Sequence, residues 1–164
     1  DETNKFYQVH NIALIYKKPT PIQIVKVDYP IRQKAVIKEA YFQAPSTTDY
    51  NGIYKQKYID FEAKEITSKT AFPLQNIHIH QIEHLRQVIN LGGIAFIIVK
   101  FSSINKVFLL DGKLTVALYD NFLNNGRKSI SIKTFIEKGH EITERCIFTI
   151  DYLKVVDKVY FINE

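Results

Sequence analysis

The sequence predicts a single α/β domain built around a mixed β-sheet, and its length and the order of its segments carry that prediction. The chain has 164 residues, of which 46% are hydrophobic, and this is enough for one compact domain with its own core. Strand-like segments come first, followed by one strong amphipathic helix, more strands and short helices. This order is typical of a sheet that has helices packed against it.

The N-terminal third predicts a strand and a hairpin-like excursion from the core. Residues 11–16 form a short apolar run, which the sequence Lys-Lys-Pro-Thr-Pro at 17–21 ends because proline cannot donate to a strand ladder. A weakly alternating segment, a turn at 28–30 and a second extended run at 35–42 follow. We therefore expect residues 19–44 to leave the core as a hairpin.

Positive charge is concentrated at this excursion. Between residues 17 and 44, six basic residues stand against two acidic residues, whereas the whole chain has a net charge of +5. Such a surface is either a solvated arm or a contact surface for phosphates. The basic residues are Lys17, Lys18, Lys26, Arg32, Lys34 and Lys38.

The central segment predicts a strand whose two faces differ. After a turn-rich stretch at 46–52, Ile53 begins a strand and residues 55–57 form a tight loop. Residues 58–64 then alternate with a period of two. One face carries Ile59, Phe61 and Ala63, and the other carries Tyr58, Asp60, Glu62 and Lys64.

Beyond residue 70 the pattern changes to a helix, two strands and short helices. Residues 75–91 predict the strongest helix, which Gly92-Gly93 ends. The remaining predictions are strands at 94–101 and 106–110, a hairpin turn at Asp111-Gly112 into residues 113–119, a basic loop at 124–128, and short helices at 131–138 and 151–160.

Residues 58–64 contain Glu62-Ala63-Lys64, a pattern typical of the second half of a metal-dependent nuclease site. Because side chains alternate along a strand, Lys64 shares a face with Glu62 and can orient a water or stabilise charge beside the metal. A solvent-facing strand gives the same pattern. Asp111-Gly112-Lys113 also matches it, but in a predicted turn, where acid and lysine share no strand face.

Candidates for the other ligands of such a metal site lie in the segment before this strand and in the predicted helix. Asp49 lies across a glycine-containing turn from Glu62 and provides a second carboxylate. Thr47 shares the face of Asp49 if the segment is extended, and the Gln81 amide reaches the metal's water if the helix packs behind the strand. Mg²⁺ prefers such a set, with few carboxylates and several waters.

The helix carries a competing motif. The sequence from His80 to His84 matches His-x-x-Glu-His, in which two histidines one turn apart bind Zn²⁺ in a class of metalloproteases. A zinc site also needs a third protein ligand from a distant acid, which the motif does not identify. A polar helix face near phosphate or solvent is the plainer interpretation.

Several long runs together resemble the RecU-type Holliday junction resolvases of the PD-(D/E)xK nuclease superfamily. The similarity spans nearly the whole chain, and its central runs are long and specific. The matching runs are 17–25 (KKPTPIQIV), 35–42 (AVIKEAYF), 46–52 (STTDYNG), 58–65 (YIDFEAKE), 70–76 (TAFPLQN) and 80–84 (HQIEH), with weaker matches at 127–130 and 151–153.

The resemblance implies a restriction-endonuclease-like core with a central mixed sheet flanked by helices, from which residues 19–44 protrude as a basic β stalk. It implies a structure-selective endonuclease that cleaves four-way junctions in recombination and repair, with Mg²⁺ as cofactor and Mn²⁺ as a substitute. Carried onto this sequence, the catalytic residues are Asp49, Glu62 and Lys64, and the metal ligands are Thr47, Asp49, Glu62 and Gln81.

DNA-binding residues are expected in the stalk and in the basic loop. Arg32 matches the stalk arginine that the resemblance associates with DNA and with recombinase-related function. The residues expected to bind DNA are Lys17, Lys18, Arg32, Lys34, Arg127 and Lys128.

The expected assembly is a symmetric homodimer on four-way junction DNA. A junction needs two nicks, one chain carries one set of catalytic residues, and two-fold pairing supplies two. The resemblance adds a RecA-type recombinase and a branch-migration helicase as partners. The alternative is a non-catalytic protein that binds junctions or modulates a recombinase, but the complete set of Asp49, Glu62 and Lys64 favours the enzyme.

Composition predicts the compartment. Cys146 is the one cysteine, so that an internal disulfide is impossible and a reducing cytoplasm is expected. The longest apolar run, residues 94–99, is too short for a membrane span, and no membrane partner is expected. The sequence has no Met, even at position 1, from which we expect a processed or trimmed product.

Overall fold

The computed structural model describes residues 1–43, 47–146 and 149–161. The α-helices of that part are α1 (Glu2–Val9), α2 (Ile79–Asn90), α3 (Gly112–Leu123), α4 (Ile132–Lys138) and α5 (Tyr152–Tyr160). Its strands are β1 (Leu14–Lys17), β2 (Ile22–Asp28), β3 (Val36–Phe42), β4 (Tyr50–Tyr54), β5 (Lys57–Ile66), β6 (Ala71–Pro73), β7 (Ile94–Phe101), β8 (Lys106–Asp111), β9 (Ser129–Ser131), β10 (His140–Glu141), β11 (Glu144–Cys146) and β12 (Thr149–Ile150). No helix in these stretches is long and apolar enough to cross a membrane.

The main sheet is mixed, as the sequence predicts. In the described residues it has six strands in the order β1, β4, β5, β7, β8, β10. β5 and β7 are parallel, with α2 between them in the chain, and the other neighbours are antiparallel. A parallel pair needs such a long crossover, whereas antiparallel neighbours need only short connections.

Helices cover both faces of this sheet, and each face has its own apolar core. On one face, Phe61 of β5 stacks on Phe96 of β7 and contacts Tyr152 of α5, and α1 adds Tyr7. On the other face, α2, α3 and α4 pack against β7 and β8. β7 is apolar at nearly every position because both of its faces are covered.

The register of β5 against β7 determines where the polar face of β5 lies. Asp60 pairs with Ala95 and Glu62 pairs with Ile97, so that both acids lie on the face that α2 covers. Asp60 is 0% exposed and Glu62 is 1% exposed. The predicted alternation of β5 is confirmed, but at these two positions its polar face is buried and does not face solvent.

β2 and β3 form a separate antiparallel ribbon, which is the predicted stalk. A 3₁₀ turn at Arg32–Lys34 joins the two strands, and every residue of both strands is exposed. Residues 44–46, which include the predicted end of the stalk at Ala44 and the turn residue Ser46, lie outside the described residues.

The segment after Asp111 is a helix, and the predicted hairpin turn is wrong. Asp111 caps α3, because its Oδ2 accepts a hydrogen bond from the Leu114 backbone N–H at 3.2 Å. Aspartate before glycine suits both a hairpin turn and a helix start, and the buried spacing of Thr115, Val116 and Tyr119 decides for the helix. The Asp111-Gly112-Lys113 match therefore lies at a helix start, again without a shared strand face.

Other helices and strands begin or end a few residues from their predicted bounds. α2 begins at Ile79 because residues 74–76 form a 3₁₀ turn before it. β4 begins at Tyr50, inside the predicted turn, and Gly52 allows its close approach to β1, where a Cβ would lie 2.0 Å from the Leu14 carbonyl oxygen. The short helices are confirmed as α4 and α5. α1 had no prediction.

Candidate active site

A cleft of about 470 Å³ opens between residues 17–21, which form the base of the stalk, the segment before β4, strand β5 and the start of α2. It brings together most of the residues that the sequence analysis assigned to catalysis, metal and DNA. Its lining consists of Lys17, Lys18, Pro19, Thr20, Pro21, Thr47, Thr48, Asp49, Glu62, Lys64, His78 and Gln81.

Two backbone N–H groups hold the carboxylates of Asp49 and Glu62 in place. The Asp49 backbone N–H donates to Glu62 Oε2 at 3.0 Å, and the Ala63 backbone N–H donates to Asp49 Oδ2 at 3.3 Å. Asp49 can reach Ala63 because β4 begins one residue later and its pairing with β5 starts at Tyr50 and Phe61. The end of the ladder thus holds the two carboxylates side by side at the cleft.

Lys64 is the cation of this pair of acids. Its Nζ lies 2.7 Å from Glu62 Oε1, and its side chain is 21% exposed. Burial raises the pKa of Glu62, the Lys64 ammonium opposes that rise, and the charge of Asp49 adds to it. The site therefore concentrates negative charge that Lys64 neutralises only in part.

Thr47 and Gln81 bring neutral oxygen atoms to the same cleft. Gln81 is buried at the first turn of α2, where its Oε1 accepts a hydrogen bond from the His78 backbone N–H at 3.0 Å. An amide oxygen has two lone pairs, so that one stays available for a second partner. Thr47 is half-buried, and its Oγ1 lies 3.5 Å from the Thr48 carbonyl oxygen.

These residues fit a hard divalent cation. Two carboxylates beside two neutral oxygen donors are the ligand chemistry that Mg²⁺ and Mn²⁺ take, with waters completing the shell. Burial, to which the charge of Asp49 adds, raises the pKa of Glu62 although Lys64 lies beside it, so that the two carboxylates are neutralised only in part. Thr47, Asp49, Glu62 and Gln81 would hold the ion.

A second buried carboxylate lies two residues before Glu62, and the sequence analysis gave it no role. Asp60 accepts hydrogen bonds from Lys18 at 2.8 Å, Tyr58 at 2.7 Å and His84 at 2.9 Å, and also from Thr48. Burial opposes its ionisation, but these hydrogen bonds, led by that of Lys18, hold the pKa of Asp60 below its ordinary value. We call Lys18, Thr48, Tyr58, Asp60 and His84 the Asp60 cluster.

The predicted DNA-binding residues are not gathered in one place. Lys17 and Lys18 line the cleft, but the ammonium of Lys18 is held by Asp60. Lys34 is exposed on the stalk turn, and the side chain of Arg32 lies outside the described part of the chain. The exposed Arg127 and Lys128 line a different hollow, beside β9.

The histidine motif does not form a zinc site. His84 is hydrogen-bonded to Asp60, whereas His80 stacks on His78 with ring centroids 5.4 Å apart. Burial, with the nearby His78 and Lys64, lowers the pKa of His80. In the described ranges, no group of three or more His, Cys, Asp or Glu side chains is arranged to hold a metal. The third ligand of the zinc protease hypothesis is therefore missing there.

Comparisons with known proteins show the family of the chain. A family model described as "Recombination protein U" matches residues 1–158. The proteins named Holliday junction resolvase RecU from Bacillus thuringiensis (strain Al Hakam) and Bacillus cereus (strain ATCC 10987 / NRS 248) are each 56% identical over 161 residues, covering 98% of this chain and 80% of the relative.

A solved structure is also similar in part. It is Hjc from Archaeoglobus fulgidus, described as a Holliday junction resolvase, with 10% sequence identity, a TM-score of 0.39 and coverage of 87% of each chain.

Proposed function

This chain belongs to the RecU family, and we propose that it is a Holliday junction resolvase that hydrolyses phosphodiester bonds of four-way DNA junctions during recombination and repair. The observation that carries the proposal is the cleft in which Asp49, Glu62 and Lys64 meet with Thr47 and Gln81. We expect the reaction in the cytoplasm, where a bacterial chromosome lies.

Each residue of the cleft has a role in phosphodiester hydrolysis. Mg²⁺, when bound, would offset the negative charge that develops on the phosphate and would acidify a water. Asp49 and Glu62 would hold the ion, and Thr47 and Gln81 would complete its protein ligands. The backbone N–H groups of Asp49 and Ala63 donate to the carboxylates of Glu62 and Asp49 and fix the spacing of the two acids. Lys64 is exposed enough to reach a phosphate oxygen while it stays beside Glu62.

The test of this site is the Glu62→Gln variant. The substitution keeps the shape of the side chain and removes charge from the metal, not from the DNA surface. We expect junction affinity to be retained and cleavage in Mg²⁺ to fall by at least about 10³-fold, since a bound metal contributes several kcal/mol to the transition state.

Glu65→Gln is the matched control. Glu65 lies on the same strand, but its side chain is exposed and pairs only loosely with Lys100, at 3.7 Å. Its variant should cleave as the wild type does. Unchanged cleavage by Glu62→Gln would contradict the site and would favour a non-catalytic junction-binding protein.

We propose a homodimer as the active form. One chain carries one set of Asp49, Glu62 and Lys64, and two nicks on opposing strands need two sets in matching geometry. An uncovered apolar surface is available on the sheet: Leu14, Tyr16, Ile53 and Tyr58 share the face of β1, β4 and β5 beyond α2, and each is more than one third exposed. Contiguous apolar surface of this kind marks an interaction site.

Light scattering and mixed dimers test this assembly. The wild type should have twice the chain mass at micromolar concentration, and a dimer with one Glu62→Gln subunit should nick one strand of a junction. A monomer both free and on junction DNA would contradict the proposal.

We assign the stalk to junction DNA and, through Arg32, to a RecA-type recombinase, and we propose a branch-migration helicase as a further partner of the protein. Apolar residues on the ribbon are exposed beside its lysines, and Phe42 at the end of β3 is 84% exposed. Such a surface suits a ligand that offers both phosphates and exposed bases. Deleting the stalk turn at Arg32–Lys34 should therefore weaken junction affinity in a gel-shift assay and leave Mn²⁺ binding unchanged.

A further inference from the structure

We propose that Lys18 and Thr48 are positioning residues of the metal site: by binding Asp60 they fix the segments that carry the proposed metal ligands. Lys18 is then not a phosphate contact. This inference rests on the proposed function, because it concerns the same metal site. It also revises the role that the sequence analysis gave to Lys18.

The Lys18 ammonium is bound by other side chains of the protein. Its Nζ donates to Asp60 Oδ2 at 2.8 Å and to Thr48 Oγ1 at 2.9 Å, and the side chain is 19% exposed. Moving the ammonium onto a phosphate would leave the fully buried Asp60 carboxylate without its cation. Separating a buried ion pair in this way is strongly unfavourable.

Lys18 also holds the acidic segment by its backbone. The Lys18 backbone N–H donates to the Asp49 carbonyl oxygen at 2.7 Å. Thr48, between the two proposed ligands Thr47 and Asp49, is buried and donates its hydroxyl to Asp60. The Thr48 hydroxyl is therefore bound to Asp60, and it fixes the conformation of the segment that presents Thr47 and Asp49.

Asp60 connects this segment to the other half of the site. It lies on β5 two residues before Glu62 and on the same face, and it also receives a hydrogen bond from His84 of α2, the helix that carries Gln81. The Asp60 cluster thus joins the stalk base, the segment before β4, β5 and α2, which together contribute every proposed ligand. Partners of this kind orient metal ligands, and their loss costs about 10–100-fold in metal affinity.

The experiment measures Mn²⁺ affinity by calorimetry on the DNA-free protein, and the salt dependence of junction affinity in EDTA. The variants are Lys18→Met, Thr48→Val and Thr48→Ser, with Lys17→Met as the matched control because Lys17 is exposed and lines the same cleft. Thermal melting without metal establishes that each variant is folded.

We expect Lys18→Met and Thr48→Val to weaken Mn²⁺ binding about 10–100-fold, and Thr48→Ser, which keeps the hydroxyl, to restore it. The salt slope of junction affinity should stay unchanged in Lys18→Met and fall by about one in Lys17→Met. Wild-type Mn²⁺ affinity in Lys18→Met, together with a salt slope lowered by about one, would overturn the proposal.

Glu62→Gln separates failure of this inference from failure of the metal site. Mn²⁺ binding in the cleft should disappear in that variant, and its persistence would overturn the proposed site itself. Loss of binding in Glu62→Gln, with unchanged affinity in Lys18→Met and Thr48→Val, would overturn the positioning role alone.

Discussion

Asp60 and Glu62 lie two residues apart on one face of one strand, and both are almost fully buried, yet their surroundings act on them in opposite directions. Asp60 is surrounded by hydrogen-bond donors of the Asp60 cluster, which lower its pKa. Burial, to which the charge of Asp49 adds, raises the pKa of Glu62, and Lys64 and a backbone N–H do not offset that rise. Burial is therefore not what distinguishes the two carboxylates.

The difference separates a structural carboxylate from a functional one. The protein satisfies the charge of Asp60 itself, so that this side chain joins elements of the fold. The protein leaves the charge of Asp49 and Glu62 partly unmatched, and for this reason we propose that a cation from solution binds there. Active sites concentrate groups of this second kind.

A large effect on cleavage is expected when Lys64, the cation beside Glu62 and Asp49, is removed. Lys64→Ala should lower cleavage about 10²–10³-fold, because a positioned charge at the developing anion is lost, while Mn²⁺ binding is retained. Lys100→Ala, on the neighbouring strand, is the control for a general loss of positive charge. Equal losses of Mn²⁺ affinity and of cleavage in Lys64→Ala would assign the lysine to the structural group instead.

Removing the charge of Asp60 should lower the stability of the fold. Asp60→Asn should lower the free energy of unfolding by about 2–3 kcal/mol, because hydrogen bonds to a charged group are lost and Lys18 is left without its partner. Urea denaturation of the metal-free protein measures this change. Asp28→Asn is the control, since its pair with Lys38 is exposed and long, at 3.7 Å. Equal stability of the two variants would remove the distinction.

A smaller effect of opposite sign is expected for Glu62→Gln without metal. A carboxyl with a raised pKa binds its proton more tightly in the folded state, so that its contribution to stability is present at low pH and is lost as pH rises through that pKa. The variant should therefore be more stable than the wild type at pH 8, and this difference should shrink as pH falls towards 4.5. Thermal melts in EDTA across this range test it.

The smallest effect is expected from the exposed lysine of the stalk turn. Lys34→Ala should lower the salt slope of junction affinity by about one, as one phosphate contact is lost, and should leave unfolding unchanged. This contrasts with Lys18, whose charge is held inside the protein. An unchanged slope would mean that Lys34 is only solvated.

The sequence by itself determined the elements whose signal is local. The period of two in β5, the continuous apolar run of β7 and the amphipathic spacing of α2 follow from which faces are covered, and each was predicted close to its observed bounds. Proline and lysine at the stalk base likewise predicted that the chain leaves the sheet. The resemblance predicted Thr47, Asp49, Glu62, Lys64 and Gln81 as site residues, and all five line the cleft.

Only the tertiary structure decided which polar residues face the cleft and which face each other. Lys17 and Lys18 are identical neighbours in sequence, as are Thr47 and Thr48, yet one member of each pair turns towards Asp60. That choice depends on the residues after β1 and before β4 meeting β5 and α2 at Asp60, which no local pattern encodes. For the same reason Asp111-Gly112 begins α3: its local signal suits both a turn and a helix, and packing against β7 and β8 selects the helix.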